Sequence, residues 1–148
     1  MKQKIILLFT IILFSSISFA DDLSAQSCAG DYLEGKVITP LSYVSGKKLK
    51  NVELSHTKFH ISAIDGKDYE VSVDNIFAND YSASTVPYSL KNRLQKGTNV
   101  KLCGEKYSDG SGIHWVHTEC PKNNNVEGFV IVNGTNLTAS KQYCYIFG

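Results

Sequence analysis

The stretch Lys58-Phe59-His60-Ile61-Ser62-Ala63-Ile64-Asp65-Gly66-Lys67-Asp68-Tyr69-Glu70-Val71-Ser72-Val73-Asp74-Asn75 decides the fold class. From Lys58 to Ile64, Phe59 and Ile61 fall on one side and His60 and Ser62 on the other. From Asp68 to Asn75, Tyr69, Val71 and Val73 alternate with polar residues. Alternation with a period of two is the mark of a strand with one face in a core. Asp65-Gly66 between the runs is a strong hairpin turn. The segment therefore reads as two antiparallel neighbours.

Working outward, Glu34 to Thr39 reads as an earlier strand stopped by Pro40, and Leu41 to Ser55 as a polar, lysine-bearing loop. After Asn75 the alternation breaks. Tyr88 to Leu94 reads as a short helix, with Leu90 and Leu94 on one face and Gly97 ending it. Asn99 to Tyr107 is a strand with Val100 and Leu102 facing one way, Ser108 to Gly112 a turn, and Ile113 to Thr118 the returning strand. Phe129 to Val132 and Gln142 to Phe147 read as two further short strands. This order predicts an all-β fold with one short helix: a small five-stranded OB-like barrel with extra C-terminal strands. A β-sandwich is the alternative.

The 148 residues make one ordinary domain once the N-terminus is set aside. Residues 1–20 have a basic head with Lys2 and Lys4, an apolar run from Ile5 to Phe14, and a Ser-Phe-Ala end at Ala20. That is the pattern of a cleaved secretory signal peptide of bacterial type. The apolar run of about ten residues is too short to span a bilayer of ~30 Å, so no membrane anchor is expected after cleavage. Residues 21–30 read as a loose arm and 31–148 as the single barrel domain. Without Lys2 and Lys4, thirteen basic residues face fourteen acidic ones, which argues against nucleic acid as a partner. The expected location is periplasmic or secreted.

Four cysteines, Cys28, Cys103, Cys120 and Cys144, remain in the mature chain. An even count in an exported domain reads as two disulfides, with the pairing open. The Cys103–Cys120 pairing is disfavoured. Partners across the Asp109-Gly110 turn should have numbers adding to about 219, and these two add to 223, a diagonal placement that is hard to bridge.

The densest chemistry lies in Gly112-Ile113-His114-Trp115-Val116-His117-Thr118, which holds the only tryptophan. On a regular strand His114 and Val116 point one way and Trp115 and His117 the other, so the two histidines do not share a metal ion. Trp115 is expected to fill the barrel interior, and one histidine to sit in a buried hydrogen bond. Asp74 and Asp80 flank a loop, where carboxylates ordinarily face water. No G-x-S-x-G, H-E-x-x-H or phosphate-loop pattern occurs, so no catalytic residue, metal ligand or cofactor is assigned.

Lys58-Phe59, Asp65-Gly66, Val73-Asp74-Asn75-Ile76, Leu94-Gln95-Lys96-Gly97, Gly104-Glu105-Lys106-Tyr107 and Gly112-Ile113-His114-Trp115-Val116-His117 occur in that order, with Gly128-Phe129 after them. Over about residues 37–134 the chain resembles a family of small exported bacterial domains of unknown function that carry a G-x-I-H-W-T-H strand. Thr98, Cys103 and Val116 depart from that pattern, and the Cys-rich ends look like additions. The resemblance implies export, a small β-barrel, and His114, Trp115 and His117 as the signature, with no reaction attached.

The expected function is a non-catalytic binding module for a small ligand or an envelope protein, using His114, Trp115, His117, Asn75 and Tyr88. The alternatives are an inhibitor or immunity-type partner of an envelope enzyme, and a small metal-assisted hydrolase or nuclease built on His114 or His117.

Overall fold

A computed structural model describes residues 25–121 and 126–148. The signal-peptide reading of residues 1–20, and the first part of the arm, lie outside the described residues. Among the described residues ten strands occur: β1 Asp31–Val37, β2 Ser42–Val44, β3 Lys48–Leu49, β4 Val52–Glu53, β5 His56–Ala63, β6 Asp68–Asp74, β7 Asn99–Lys106, β8 Gly112–His114, β9 Phe129–Val132 and β10 Thr135–Asn136. One α-helix, α1, spans Tyr88–Arg93.

The deciding hairpin forms as expected, with His56 opposite Asp74 and Phe59 opposite Val71. The Gly66 φ of 83° lets the chain reverse there. β5 pairs β1, β6 pairs β8 in parallel, β8 pairs β7, and β7 returns to β1. The ring β1-β5-β6-β8-β7 closes a five-stranded barrel, with α1 between the third and fourth of its strands in chain order. This is the OB-like wiring. Phe59, Ile61, Val71, Val100, Leu102 and Ile113 fill it, and Leu90 and Leu94 of α1 join the same core.

The β7–β8 register sets Glu105 against His114 and Lys106 against Ile113, the pairing expected from the turn. The strand then stops. A continuous strand would put Val116 opposite Cys103, but Phe129 stands there, thirteen residues further along. The fifth barrel wall is thus two pieces, β8 and β9, and the chain leaves the sheet between them at Trp115. Val130 and Val132 of β9 face the barrel core, while Phe129 and Ile131 pack outside with Cys103.

Three other expectations are corrected. The Leu41–Ser55 loop contains β2, paired to β5, and the small β3–β4 hairpin. Ile113–Thr118 is a strand only as far as His114. Gln142–Phe147 is not a strand: Cys144–Phe147 forms a 3-10 turn packed into a satellite core with Ile76, Phe77 and Leu54. The disulfides are Cys28–Cys103, tying the arm to β7, and Cys120–Cys144, stapling the C-terminal turn to the excursion after β8. The pairing disfavoured by register is not used.

Candidate functional site

The site grows from one backbone conformation. Trp115 has φ of 53°, a left-handed value that a bulky side chain rarely adopts. In a regular strand residues 114 and 115 would point to opposite faces. The left-handed step puts both on the outside, where the His114 and Trp115 rings stack with centroids 4.4 Å apart and planes 21° apart. The Tyr107 ring lies tilted against His114, with centroids 5.1 Å apart. Trp115 therefore does not fill the barrel interior, and Val116 takes the inward position instead.

Such a step persists only where its surroundings hold it. A Cβ at Gly104 would sit 2.3 Å from the His114 carbonyl oxygen, and one at Gly128 would sit 2.3 Å from that of Trp115. Both positions must lack a side chain for the chain to pass. The Thr138 hydroxyl donates to the Val116 carbonyl at 2.7 Å, and the Thr118 amide donates to the Thr138 carbonyl at 3.0 Å. The Gly128 amide donates to the His117 carbonyl at 2.8 Å.

Beyond the turn, His117 is 4% exposed and stacks flat on Phe77 at 3.7 Å. Its Nδ1 meets the Thr118 carbonyl at 2.8 Å and its Nε2 meets Asp74 Oδ2 at 3.2 Å. The other oxygen of Asp74 lies 2.5 Å from His56 Nε2. Asp74 is thus clamped between two imidazoles rather than facing water. Burial acts to raise its pKa, but the hydrogen bonds and charges of His117 and His56 outweigh it and hold the carboxyl well below the usual range. The bond to Asp74 raises the His56 pKa in turn, while burial lowers that of His114. A hollow of about 110 Å³, bounded by Leu54, His56, Asp74 and Phe147, lies beside the clamp.

A second polar set completes the outer face. Lys58 Nζ donates to Glu70 Oε1 at 2.7 Å, and the Tyr107 hydroxyl donates to the same oxygen at 3.2 Å. The register places His56 and Lys58 of β5, Glu70 and Asp74 of β6, and Glu105 and His114 at the β7–β8 pair on the barrel's outside. Among the described residues, no set of three or more His, Cys, Asp and Glu side chains is arranged to hold a metal ion. Both ring nitrogens of His117 are engaged, which leaves it none with which to take a substrate's proton.

Of the five residues singled out in the sequence, His114, Trp115 and His117 lie together. Asn75 does not join them: it is fully buried, accepting from Thr57 Oγ1 at 2.6 Å and donating to Ser55 Oγ at 3.0 Å. It is a brace in the barrel wall. Tyr88 stands on α1, 72% exposed, outside these contacts among the described residues. His56, Lys58, Glu70, Asp74 and Tyr107 were missed as members of the face. The Asp65-Gly66 turn already implied that the residues near 56 and 74 are partners, and that was the available signal. No protein-family model matches the chain, and no curated protein matches it.

Proposed function

We propose that this chain is an exported bacterial binding module, periplasmic or secreted, without catalysis of its own. Its recognition face is the outside of β5, β6 and β8, with Tyr107, His114 and Trp115 at its centre. The observation that supports this reading is the left-handed step at Trp115. It exposes two stacked rings where a relaxed strand would expose one, and a relaxed strand would avoid the strain. Rigid aromatic side chains give contact area at small entropic cost. An OB-type barrel commonly uses this face, although fold analogy alone does not assign a ligand. Two disulfides suit an oxidising compartment, in line with the signal-peptide reading of residues 1–20. An envelope enzyme inhibited by the module is one form its partner could take.

The test is photocrosslinking in the bacterial envelope from position 105, the strand partner of His114. The control is position 64, where Ile64 is 80% exposed on the hairpin tip. The expected result is a discrete adduct from 105 alone, lost in Trp115→Ala. Equal adducts from both positions, or an adduct that survives Trp115→Ala, would sink the proposal.

A further inference from the structure

A roomier cavity than the hollow beside Asp74 lies elsewhere, at the α1 end of the barrel. It measures about 610 Å³, within the ordinary range for a small-molecule site. Its floor is apolar: Leu41 and Val86 rest on the barrel core, and Leu94 is nearly fully buried. One wall is Tyr43 of β2, and the facing wall is the Ser84–Val86 loop.

Both walls are fixed to one carboxylate. The Tyr43 hydroxyl donates a short bond to Glu53 Oε1, and the Ser84 amide donates to Glu53 Oε2 at 3.1 Å. The Tyr81 hydroxyl donates to the Glu53 carbonyl at 2.9 Å, anchoring the start of the same loop. Ser84 is held at φ of 63°, so this loop too is kept in a conformation it would not choose alone. The hydrogen bond from Tyr43 holds the Glu53 carboxyl below its ordinary pKa against the opposing effect of burial. The cavity is therefore preformed, and a ligand entering it need not order its walls.

Lys91 and Lys96 line the same cavity. Neither has a salt-bridge partner among the described residues. Glu53, the carboxylate that fixes both walls, is already occupied by Tyr43 and Ser84. An apolar floor under two uncommitted cations complements one chemistry: an apolar body ending in an anion.

We propose that this cavity is a second binding site, and that it takes an amphiphilic monocarboxylate. The chain of the ligand lies on Leu41, Val86 and Leu94, and its head sits between Lys91 and Lys96. Each methylene buried on that floor raises affinity about fourfold, until the cavity is full. The head adds a preference for carboxylate over alcohol of about tenfold.

The experiment titrates the oxidised protein with butyrate, hexanoate, octanoate and decanoate, and with octanol, below their aggregation limits. It is followed by amide chemical shifts at Tyr43, Ser84, Val86 and Leu94. The expected result is affinity rising with chain length, octanoate tighter than octanol, and shifts confined to this end of the barrel. The double variant Lys91→Gln/Lys96→Gln changes exposed side chains, and should bring octanoate down to octanol while leaving octanol unchanged. Val86→Trp, which intrudes on the apolar floor, should weaken both. Affinity indifferent to chain length, octanoate and octanol alike in the native protein, or shifts centred on Trp115 would each overturn the proposal.

Discussion

The outer face of the barrel and the cavity at its α1 end are both built on strained backbone, yet they leave opposite things unsatisfied. On the outer face Lys58 is matched with Glu70, and Asp74 with two histidines. What remains open there is ring surface. At the α1 end the aromatic Tyr43 is committed to Glu53, and the two lysines are left open. Free capacity separates the two regions, and it is free capacity that a partner can use.

The sharpest way to break this contrast is to disturb one region and read the other. Gly128→Ala should have the largest effect, because its Cβ would meet three backbone atoms within 3 Å, none of which can swing aside. A loss of about 3 kcal/mol is expected from such overpacking. Urea unfolding followed by Trp115 emission measures it, and octanoate affinity in the fraction still folded should be unchanged.

Asp74→Asn comes next. It leaves two imidazoles facing an amide, and should cost about 2 kcal/mol, the scale of a hydrogen bond to a charged group. Chemical denaturation near neutral pH gives the number. A change below about 0.5 kcal/mol, within the range of ordinary surface substitutions, would mean that the clamp does little.

Trp115→Gly should shift stability by under about 1 kcal/mol, since relief of the left-handed strain offsets the lost stack. The envelope adduct from position 105 should nonetheless disappear. A variant that keeps the adduct would move the recognition face off this residue.

The smallest effects concern pH, and His56 and His114 have opposite signs. The His56 pKa is raised in the fold by Asp74, so its contribution is fully present below the ordinary histidine value near 6.5. It is lost as pH rises through the higher, folded value. The His114 pKa is lowered by burial, so His114 costs stability as pH falls below that same ordinary value. Unfolding midpoints from about pH 5 to 8, the range in which histidine charge changes, should show His114→Gln gaining on the native protein on the acid side. His56→Gln should lose ground there.

The parts of this molecule that could be read from sequence are those whose cause is local. The Phe59–Ile61 and Tyr69–Val73 alternation, the Asp65-Gly66 turn and the Glu105–His114 register each follow from residues close in the chain. The break at Trp115 does not. A tryptophan carries no local preference for positive φ, and the groups that hold it there, Gly104, Gly128 and Thr138, are distant in sequence. Missing that step led to the reading of Trp115 as core and of Ile113–Thr118 as one strand. Asp74 was legible only by halves. Its partner His56 follows from the hairpin, but His117 reaches it only because the chain has left the sheet. Asn75 and Tyr88 were chosen for their place beside a loop, and burial assigns one to the wall and the other to open surface.

The division of the fifth wall into β8 and β9 has a further consequence, for crowding among copies. Because β1 closes on β7, the barrel itself offers no long unpaired strand to a neighbouring molecule. Among the described residues the sheet continues past the ring through β9, ending in the two-residue β10, and through the three-residue β2 on β5. Exposed edges are where strands of separate chains join into aggregates, and a short edge gives them little to copy. Copies of such a barrel stay dispersed at high local concentration, with rings, rather than backbone, presented to neighbours.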